Sequence, residues 1–220
     1  MRYSGSHQYI AREARPVILV LIVISLLFYQ MIGPIWALIP LFLLLIVVIL
    51  YRDPGRFIPP IPLALLSPVD GSVVFVKQGY DPYVDRQAIN IRLKISSMGS
   101  FGLRSPIEGK LVAQWLFRSQ LGEQALHVEK VAAKSKGIHY VVQITTDEQD
   151  DVVVVLEMPY WWQSFQCYVS VGERIAQGGR CGRTRFGGYV DFFIPETAGL
   201  EIGHNDKVVA GVSVLARLRH

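Results

Sequence analysis

Charged residues are absent between Pro16 and Leu50, where most residues are Val, Ile, Leu or Phe. A bilayer core accommodates about 20 helical residues, so this run is too long for a single span. Gly33 and Pro34 supply turn-forming residues near its middle. We therefore predict two short transmembrane helices that form a membrane hairpin over residues 16–51. A signal peptide is disfavoured, because the run exceeds the length of its apolar region and no small-residue cleavage site follows.

Basic residues flank the apolar run on both sides, while its connection carries no charge. The flanking residues are Arg2, Arg12, Arg15, Arg52 and Arg56. Because positive flanks remain on the cytoplasmic side, we predict that residues 1–15 and a globular domain over 52–220 lie on the cytoplasmic face of the inner membrane. With a net charge of +4, the same arginines would attract anionic phospholipid headgroups. A role as topology signals alone explains them equally well.

Cysteine is scarce, and neither cysteine has metal-ligand spacing. Cys167 and Cys181 lie outside any metal-ligand spacing such as C-x-x-C, and we expect two reduced thiols in a cytoplasmic domain. The five histidines are scattered, and none lies at helical ligand spacing beside a carboxylate. The sequence therefore predicts neither a metal site nor a nucleic-acid partner.

Long amphipathic helical patterns are lacking beyond Tyr51, except that residues 120–134 fit either a short helix or a mobile loop. Short apolar runs separated by Gly, Pro, Asp and Asn take their place, as is typical of strands joined by tight turns. Such runs occupy residues 72–77, 89–95, 140–145, 152–158 and 190–194. We predict a mostly β domain.

Two weak internal repeats support this prediction. Residues 67–74, Ser-Pro-Val-Asp-Gly-Ser-Val-Val, recur as Ser-Pro-Ile-Glu-Gly-Lys-Leu-Val at 105–112, and residues 171–178 resemble 202–211. An acidic residue before Gly favours a tight turn, and the apolar residues behind it favour a strand. The units resemble those of lipoyl-type barrel sandwiches, so we expect a barrel-sandwich-like domain.

Three motifs in order resemble the short, bacterial and archaeal-type phosphatidylserine decarboxylases. An F/Y-R-D-P-x-R motif appears at residues 51–56 and S-P-x-D-G-x-V at 67–73. The segment Gly-Arg-Cys-Gly-Arg-Thr-Arg-Phe-Gly-Gly-Tyr-Val-Asp at 179–191 resembles the family's late motif, which ends in R-F-G-S-x-V-D. Each motif alone is weak, but three in the right order behind an apolar N-terminus are specific. The middle of the chain, residues 114–167, matches poorly.

The resemblance implies a chemistry that depends on one hydroxyl group. In this family a serine after glycine attacks the preceding carbonyl, the chain is cut, and a pyruvoyl group caps the new N-terminus. That ketone forms a Schiff base with the substrate amine and accepts electrons as carbon dioxide departs. Here Gly188 follows Gly187 in place of the serine.

A second family feature is also missing. The family pairs the aspartate of S-P-x-D-G with a histidine that assists proton transfer. Asp70 matches the aspartate, but the histidine position falls on Phe101, which carries no proton. We therefore expect Asp70 to be a vestigial base, with a turn-forming role as the better explanation. The resemblance thus implies a family member without the pyruvoyl cofactor.

Other polar and aromatic residues admit two explanations each. Arg180, Arg183 and Arg185 suit a headgroup phosphate or carboxylate, or an exposed edge strand. Trp161, Trp162 and Phe165 suit an interfacial anchor or the core. The acidic run at 147–151 predicts a hairpin tip.

The sequence therefore favours a membrane-anchored pseudoenzyme of phospholipid metabolism that binds a lipid headgroup, for which an anionic one is a candidate, or a protein partner. Two alternatives stay open. The chain could be an active decarboxylase that makes phosphatidylethanolamine by another route, or a structural subunit of a membrane lipid-enzyme complex.

Overall fold

The computed structural model describes residues 14–52, 54–97, 99–118, 137–160, 163, 165–184 and 187–219. The chain divides into two compact units. One is a helical unit, Gly5–Gly55, and the other is a β unit that includes Arg56–His220. The predicted helix or loop at 120–134 lies outside the described residues.

The helical unit contains two helices, α1 (Arg15–Met31) and α2 (Pro34–Leu50). Between them, Gly33 has a φ of 126°, which a residue with a side chain rarely adopts, and Pro34 begins α2 with a preset φ. The hydroxyl of Ser25 donates to the carbonyl of Ala37 at 3.3 Å and joins the two helices. The turn thus lies where the sequence predicts it.

The prediction that these helices cross a membrane is not supported. Each has 17 residues, and at about 1.5 Å per residue such a helix is about 26 Å long, less than the roughly 30 Å of a bilayer core. None of the helices described here is both long and apolar enough to cross a membrane. The apolar run is longer than the helices because residues 32 and 33 form the turn between them.

The β unit is built from short antiparallel strands, as predicted. The strands of its described part are β1 (Ala64–Leu66), β2 (Gly71–Asp81), β3 (Arg86–Ile95), β4 (Gly102–Arg104), β5 (Gly109–Arg118), β6 (Ile138–Thr145), β7 (Asp151–Met158), β8 (Gln166–Cys167), β9 (Arg174–Ile175), β10 (Arg180–Arg183), β11 (Tyr189–Pro195), β12 (Gly199–Leu200), β13 (Lys207–Val208) and β14 (Val214–Arg217). All five strands expected from the apolar runs are confirmed.

One curled sheet dominates the described part of the β unit, with strand order β13-β2-β3-β11-β7-β6-β5-β9. Two smaller sheets have the orders β1-β14-β12 and β4-β10-β8. Because side chains alternate along a strand, Phe192 and Ile194 pack in the main core and Phe193 packs on the opposite face. The mostly β prediction is therefore confirmed.

The first predicted repeat is also confirmed, because its two copies make the same contacts. The hydroxyl groups of Ser67 and Ser105 each donate to the carbonyl two residues later, both at 2.7 Å. The amide before each serine donates to the proline after the other serine, from Leu66 to Pro106 and from Arg104 to Pro68.

The second repeat supplies a matching turn to each copy. Gly178 donates its amide to Ser105, and Gly211 donates its amide to Ser67, at 2.9 and 2.8 Å. Both glycines have a φ of 69°, in the left-handed region. The two halves of the β unit are thus related by an internal pseudo-symmetry.

The poorly matching middle of the chain contributes β6, β7 and β8. The acidic run forms the β6–β7 hairpin tip as predicted, where Thr146 donates its amide to Asp150 at 2.9 Å. Trp161 and Trp162 lie outside the described residues. The ring of Phe165 lies 4.5 Å from that of Tyr140 and packs against the main core, which favours the core explanation for this residue.

Candidate functional site

Gly187 and Gly188 lead into β11 at one end of the large sheet. The carbonyl of Gly188 accepts the amide of Ile95, the last residue of β3, at 3.0 Å. Its φ is 128°, and that of Gly187 is 52°. The position that resembles the family's cleavage site is therefore part of the hydrogen-bonded sheet.

The backbone at Gly188 leaves no room for a side chain. An ideal Cβ built there would lie 2.6 Å from the carbonyl oxygen of Glu157 on the neighbouring strand β7. A Cβ at Gly187 would meet no atom within 4 Å. The two glycines thus differ. A side chain at Gly188 is disfavoured both by φ and by contact with the Glu157 carbonyl, whereas a side chain at Gly187 is disfavoured by φ alone.

Gln163 contacts the carbonyl between these glycines. Its side chain is 3% exposed, and Nε2 donates to the oxygen of Gly187 at 3.4 Å. Its Oε1 accepts the amide of Tyr160 at 3.0 Å, which fixes the orientation of the side chain. Sequence reasoning missed Gln163 because it lies in the poorly matching middle segment, where no motif marks it.

Asp70 lies in the turn before β2, and four donors contact its carboxylate. Two come from Arg56, whose Nη1 and Nη2 each lie 2.5 Å from a carboxylate oxygen. The amides of Ala210 and Ser100 donate at 2.8 and 3.0 Å. The sequence marked Arg56 as part of a motif, but as a membrane-proximal charge rather than a partner of Asp70.

These contacts keep Asp70 ionised. Burial, the largest single influence, raises the pKa of Asp70, but hydrogen bonds from Arg56 and the two amides, with the charge of Arg56, hold it below its ordinary value. The carboxylate already accepts four hydrogen bonds, so it is poorly suited to take a proton from another group.

Phe101 lies close to Asp70 and to the segment that leads to Gly187 and Gly188. It directly follows Ser100, the residue that donates to Asp70, and its ring is buried. Its carbonyl accepts the amide of Thr184 at 3.0 Å, just before the segment that leads to Gly187. The fold thus brings Asp70, Phe101 and Gly188 to the loops at one end of the sheet, but the histidine position holds a buried hydrocarbon.

The candidate headgroup arginines lie on β10, next to this end of the sheet. Arg183 pairs with Gly102 of β4, and Arg180 pairs with Arg104. The guanidinium of Arg180 lies 5.7 Å from the ring centre of Tyr168. Arg185 lies outside the described residues, so its predicted position on the same face as Arg183 is not observed.

A charged cluster that sequence reasoning missed lies on the face of the large sheet opposite the main core. Arg92 of β3 forms an ion pair with Glu157 of β7 and another, at 3.3 Å, with Asp191 of β11. The ring of Tyr189 lies 4.8 Å from the same guanidinium. These residues are distant in sequence, and only the strand register brings them together.

Burial raises the pKa of Asp191 to about 6, because the nearby Arg92 only partly offsets the cost of desolvation and Glu157 adds repulsion. In the unfolded chain the value is about 3.9. The folded state therefore binds more protons between roughly pH 4 and 6, and stability falls as the pH rises through this window.

We expect Asp191→Asn to remove this penalty. Relative to the parent, the variant should gain about 2 kcal/mol in unfolding free energy between pH 4 and 7.5, since each pKa unit corresponds to about 1.4 kcal/mol. Urea unfolding at both pH values measures the difference. Asp85→Asn, in the exposed turn between β2 and β3, should follow the parent, and the same trend in that variant would contradict the assignment.

Metal-ligating groups do not gather in the described part of the chain, where no three His, Cys, Asp or Glu side chains could hold an ion. Cys167 and Cys181 are free thiols. Burial raises the pKa of Cys181, so its thiol stays protonated.

Comparisons with known proteins agree with the motif order. The model of the phosphatidylserine decarboxylase family matches residues 43–216. The chain is 35% identical over 214 residues to the phosphatidylserine decarboxylase proenzyme of Nitrosomonas eutropha, covering 97% of each chain. It is 33% identical to that of Aromatoleum aromaticum, covering 99% of this chain and 100% of the relative. It is also 33% identical to that of Burkholderia pseudomallei, covering 96% of each. No solved structure matches.

Proposed function

Because the chain belongs to the phosphatidylserine decarboxylase family, we propose that it is a non-processing member that binds a phospholipid headgroup without decarboxylating it. One observation carries this proposal. At the position of the family's serine, Gly188 has no hydroxyl group, and its backbone places the Glu157 carbonyl where a side chain would begin.

The residues at this end of the sheet do not fit the family's pyruvoyl group. That group is made from a serine side chain, which Gly188 lacks. The carboxylate of Asp70 is already occupied by four donors, and Phe101 cannot transfer a proton. Two requirements of self-processing, the serine and the histidine, are thus missing at separate places in the sequence, and we propose that this protein carries no pyruvoyl group.

A headgroup site remains chemically reasonable without that group. Arg180 and Arg183 lie on one short strand beside Phe101 and Thr184, and the planar guanidinium group suits phosphate or carboxylate oxygens. A headgroup bound there would lie beside Phe101 and Thr184, close to the segment that leads to Gly187 and Gly188. The proposed ligand is therefore a phospholipid with an anionic headgroup.

We further propose that the helical unit attaches the protein to the cytoplasmic face of the membrane. Large apolar side chains are exposed along both helices, including Leu19, Leu27, Leu38 and Phe42. Exposed apolar surface of this extent is unfavourable in water and favourable in lipid. The arginines that flank the run support the cytoplasmic orientation.

Intact mass measurement tests the proposal directly. We expect the purified full chain to run as one band on a denaturing gel and to have the mass of the uncut polypeptide. It should release no carbon dioxide from carboxyl-labelled phosphatidylserine. Two fragments with a pyruvoyl terminus near residue 188, or release of labelled carbon dioxide, would establish the active decarboxylase instead.

Substitution of Arg183 tests headgroup binding. We expect Arg183→Gln to weaken binding of soluble dihexanoyl phosphatidylserine about tenfold, because a hydrogen bond to a charged group contributes about 1.5–3 kcal/mol. Isothermal titration calorimetry measures the affinity. Arg217→Gln is the matched control, since Arg217 is exposed on β14 and pairs with Glu201. Equal affinities for Arg183→Gln and the parent would contradict the assignment.

A further inference from the structure

Three exposed apolar side chains of the β unit lie within two residues of Arg56 or Ala210, which both contact Asp70. Phe57 is 50% exposed, Val209 is 43% exposed and Val212 is 38% exposed. Phe57 follows Arg56, whose guanidinium donates to the carbonyl of Ala210 at 3.1 Å. We call Phe57, Val209 and Val212 the apolar patch.

The turn that carries both valines is held firmly by its own hydrogen bonds. The amides of Val212 and Ser213 both donate to the carbonyl of Val209, at 3.1 and 3.0 Å. The amide of Val209 donates to the hydroxyl of Ser213 at 2.9 Å. Since the turn is fixed in this way, the two valines stay exposed rather than folding back onto the core.

The fold itself does not require these valines. Gly178 is the counterpart of Gly211 in the other half of the β unit, with the same φ and the same contact to a serine. Counting from these glycines, Ala176 corresponds to Val209 and Gly179 corresponds to Val212. The same turn therefore forms with small residues at these two positions, whereas exposed valines occupy them in the turn that contacts Arg56.

Chain connectivity indicates what covers the patch. Phe57 follows Leu50, the last residue of α2, by seven positions. Seven residues span at most about 25 Å, so the chain between them is short enough for Phe57 to reach a membrane that holds α2. The exposed parts of three side chains amount to roughly 200–300 Å², well below the roughly 800 Å² per partner of a stable protein interface.

We propose that Phe57, Val209 and Val212 form a second lipid-contact surface, which inserts into the interfacial layer of a phospholipid bilayer. This inference rests on the proposed membrane attachment. Apolar side chains at an interface enter the boundary between headgroups and acyl chains. The exposed Lys207 of β13 lies two residues from Val209, where it can contact anionic headgroups.

The proposal explains how a headgroup reaches the candidate site. The amide of Ala210, in the same turn, donates to Asp70 at 2.8 Å. An ideal Cβ at Gly211 would lie 2.8 Å from Cδ of Arg104, the strand partner of Arg180. Insertion of the turn therefore sets the headgroup layer beside Asp70 and the arginines of β10.

Fluorescence quenching in vesicles tests this surface. The full chain carries Cys167→Ser, leaving Cys181 buried and unreactive. Single cysteines introduced as Val212→Cys, Ala176→Cys or Leu38→Cys are labelled with an environment-sensitive dye. Vesicles of phosphatidylcholine and phosphatidylglycerol contain lipids with a nitroxide near the headgroup. We expect quenching to remove about half of the emission at position 212, since interfacial groups lie about 5–10 Å deep.

The three positions separate the possible failures. Quenching at 212 and 38 but not at 176 supports the lipid-contact surface, because 176 is the matched position in the other half. Quenching at 38 alone overturns the surface and leaves membrane attachment intact. No quenching at any position overturns both proposals. Cross-linking between copies through position 212 in detergent would assign the patch to self-association and overturn lipid contact. Equal thermal transitions of the labelled variants establish that each is folded.

Discussion

Replacing Gly188 with alanine is expected to lower the free energy of unfolding by about 3 kcal/mol, because the new Cβ would be strained by φ and by contact with backbone. The φ of Gly188 is 128°, and the carbonyl oxygen of Glu157 lies 2.6 Å from the ideal Cβ. A backbone oxygen in a central strand cannot move away as a flexible side chain would. Urea unfolding of the purified variant measures the loss.

Gly187→Ala is the matched control for this experiment. Its φ of 52° disfavours a side chain, but no atom lies within 4 Å of the added Cβ. The expected loss is therefore only about 1 kcal/mol. If Gly188→Ala cost no more than Gly187→Ala, the contact with Glu157 would have no energetic consequence.

The same geometry predicts that Gly188→Ser does not restore self-processing. The serine would carry the missing hydroxyl group. The backbone position beside β7, the four hydrogen bonds to the Asp70 carboxylate and the hydrocarbon side chain of Phe101 would remain unchanged. We expect a single uncut chain by intact mass. A pyruvoyl-terminated fragment from this single substitution would mean that only the hydroxyl group had been lost.

Replacing Asp70 with asparagine is expected to cost about 3 kcal/mol, because removing one partner of a mostly buried ion pair leaves the other charge without compensation. The side chains of Arg56 and Asp70 are only 10% and 13% exposed. Asparagine has nearly the same shape as aspartate, so the lost unfolding free energy measures the effect of the carboxylate charge. Asp147→Asn, which breaks an exposed pair with Arg174, is the control and should leave the unfolding midpoint unchanged.

The dependence of the unfolding free energy on pH at acidic pH is a second test of the role of Asp70. Because its pKa is lowered in the folded state, the contribution of Asp70 is complete above the unfolded value of about 3.9 and is lost as the pH falls through the folded value. Asp70→Asn should therefore lose less stability than the parent below about pH 4. An identical dependence of the unfolding free energy on acidic pH in both proteins would show that Asp70 does not titrate differently in the two states.

Under the proposed function, these residues describe how a family scaffold persists without the family's chemistry. The pseudo-symmetric halves still place Asp70, Phe101 and Gly188 together. The carboxylate of Asp70 binds Arg56, the first residue after the helical unit, and so holds the chain where it enters the β unit. Its counterpart Glu108 in the other half is exposed and makes only a distant ion pair with Arg174, at 3.8 Å.

The sequence alone determined the features that depend on local order along the chain. Short apolar runs between turn-forming residues predicted the strands, Gly33 and Pro34 predicted the helix turn, and the repeated Ser-Pro units predicted repeated hairpin elements. These predictions succeeded because apolar runs and turn chemistry are properties of neighbouring residues. Motif order marked Gly188 and Phe101 as the positions of the family's serine and histidine.

Only the tertiary structure decided which distant residues meet. It paired Arg56 with Asp70, brought Gln163 to Gly187 and gathered Arg92, Glu157 and Asp191 on one face of the sheet. It also fixed the length of the two predicted helices at 17 residues each. Register between strands far apart in sequence sets these contacts, and a side chain's charge or room depends on neighbours that no local pattern specifies.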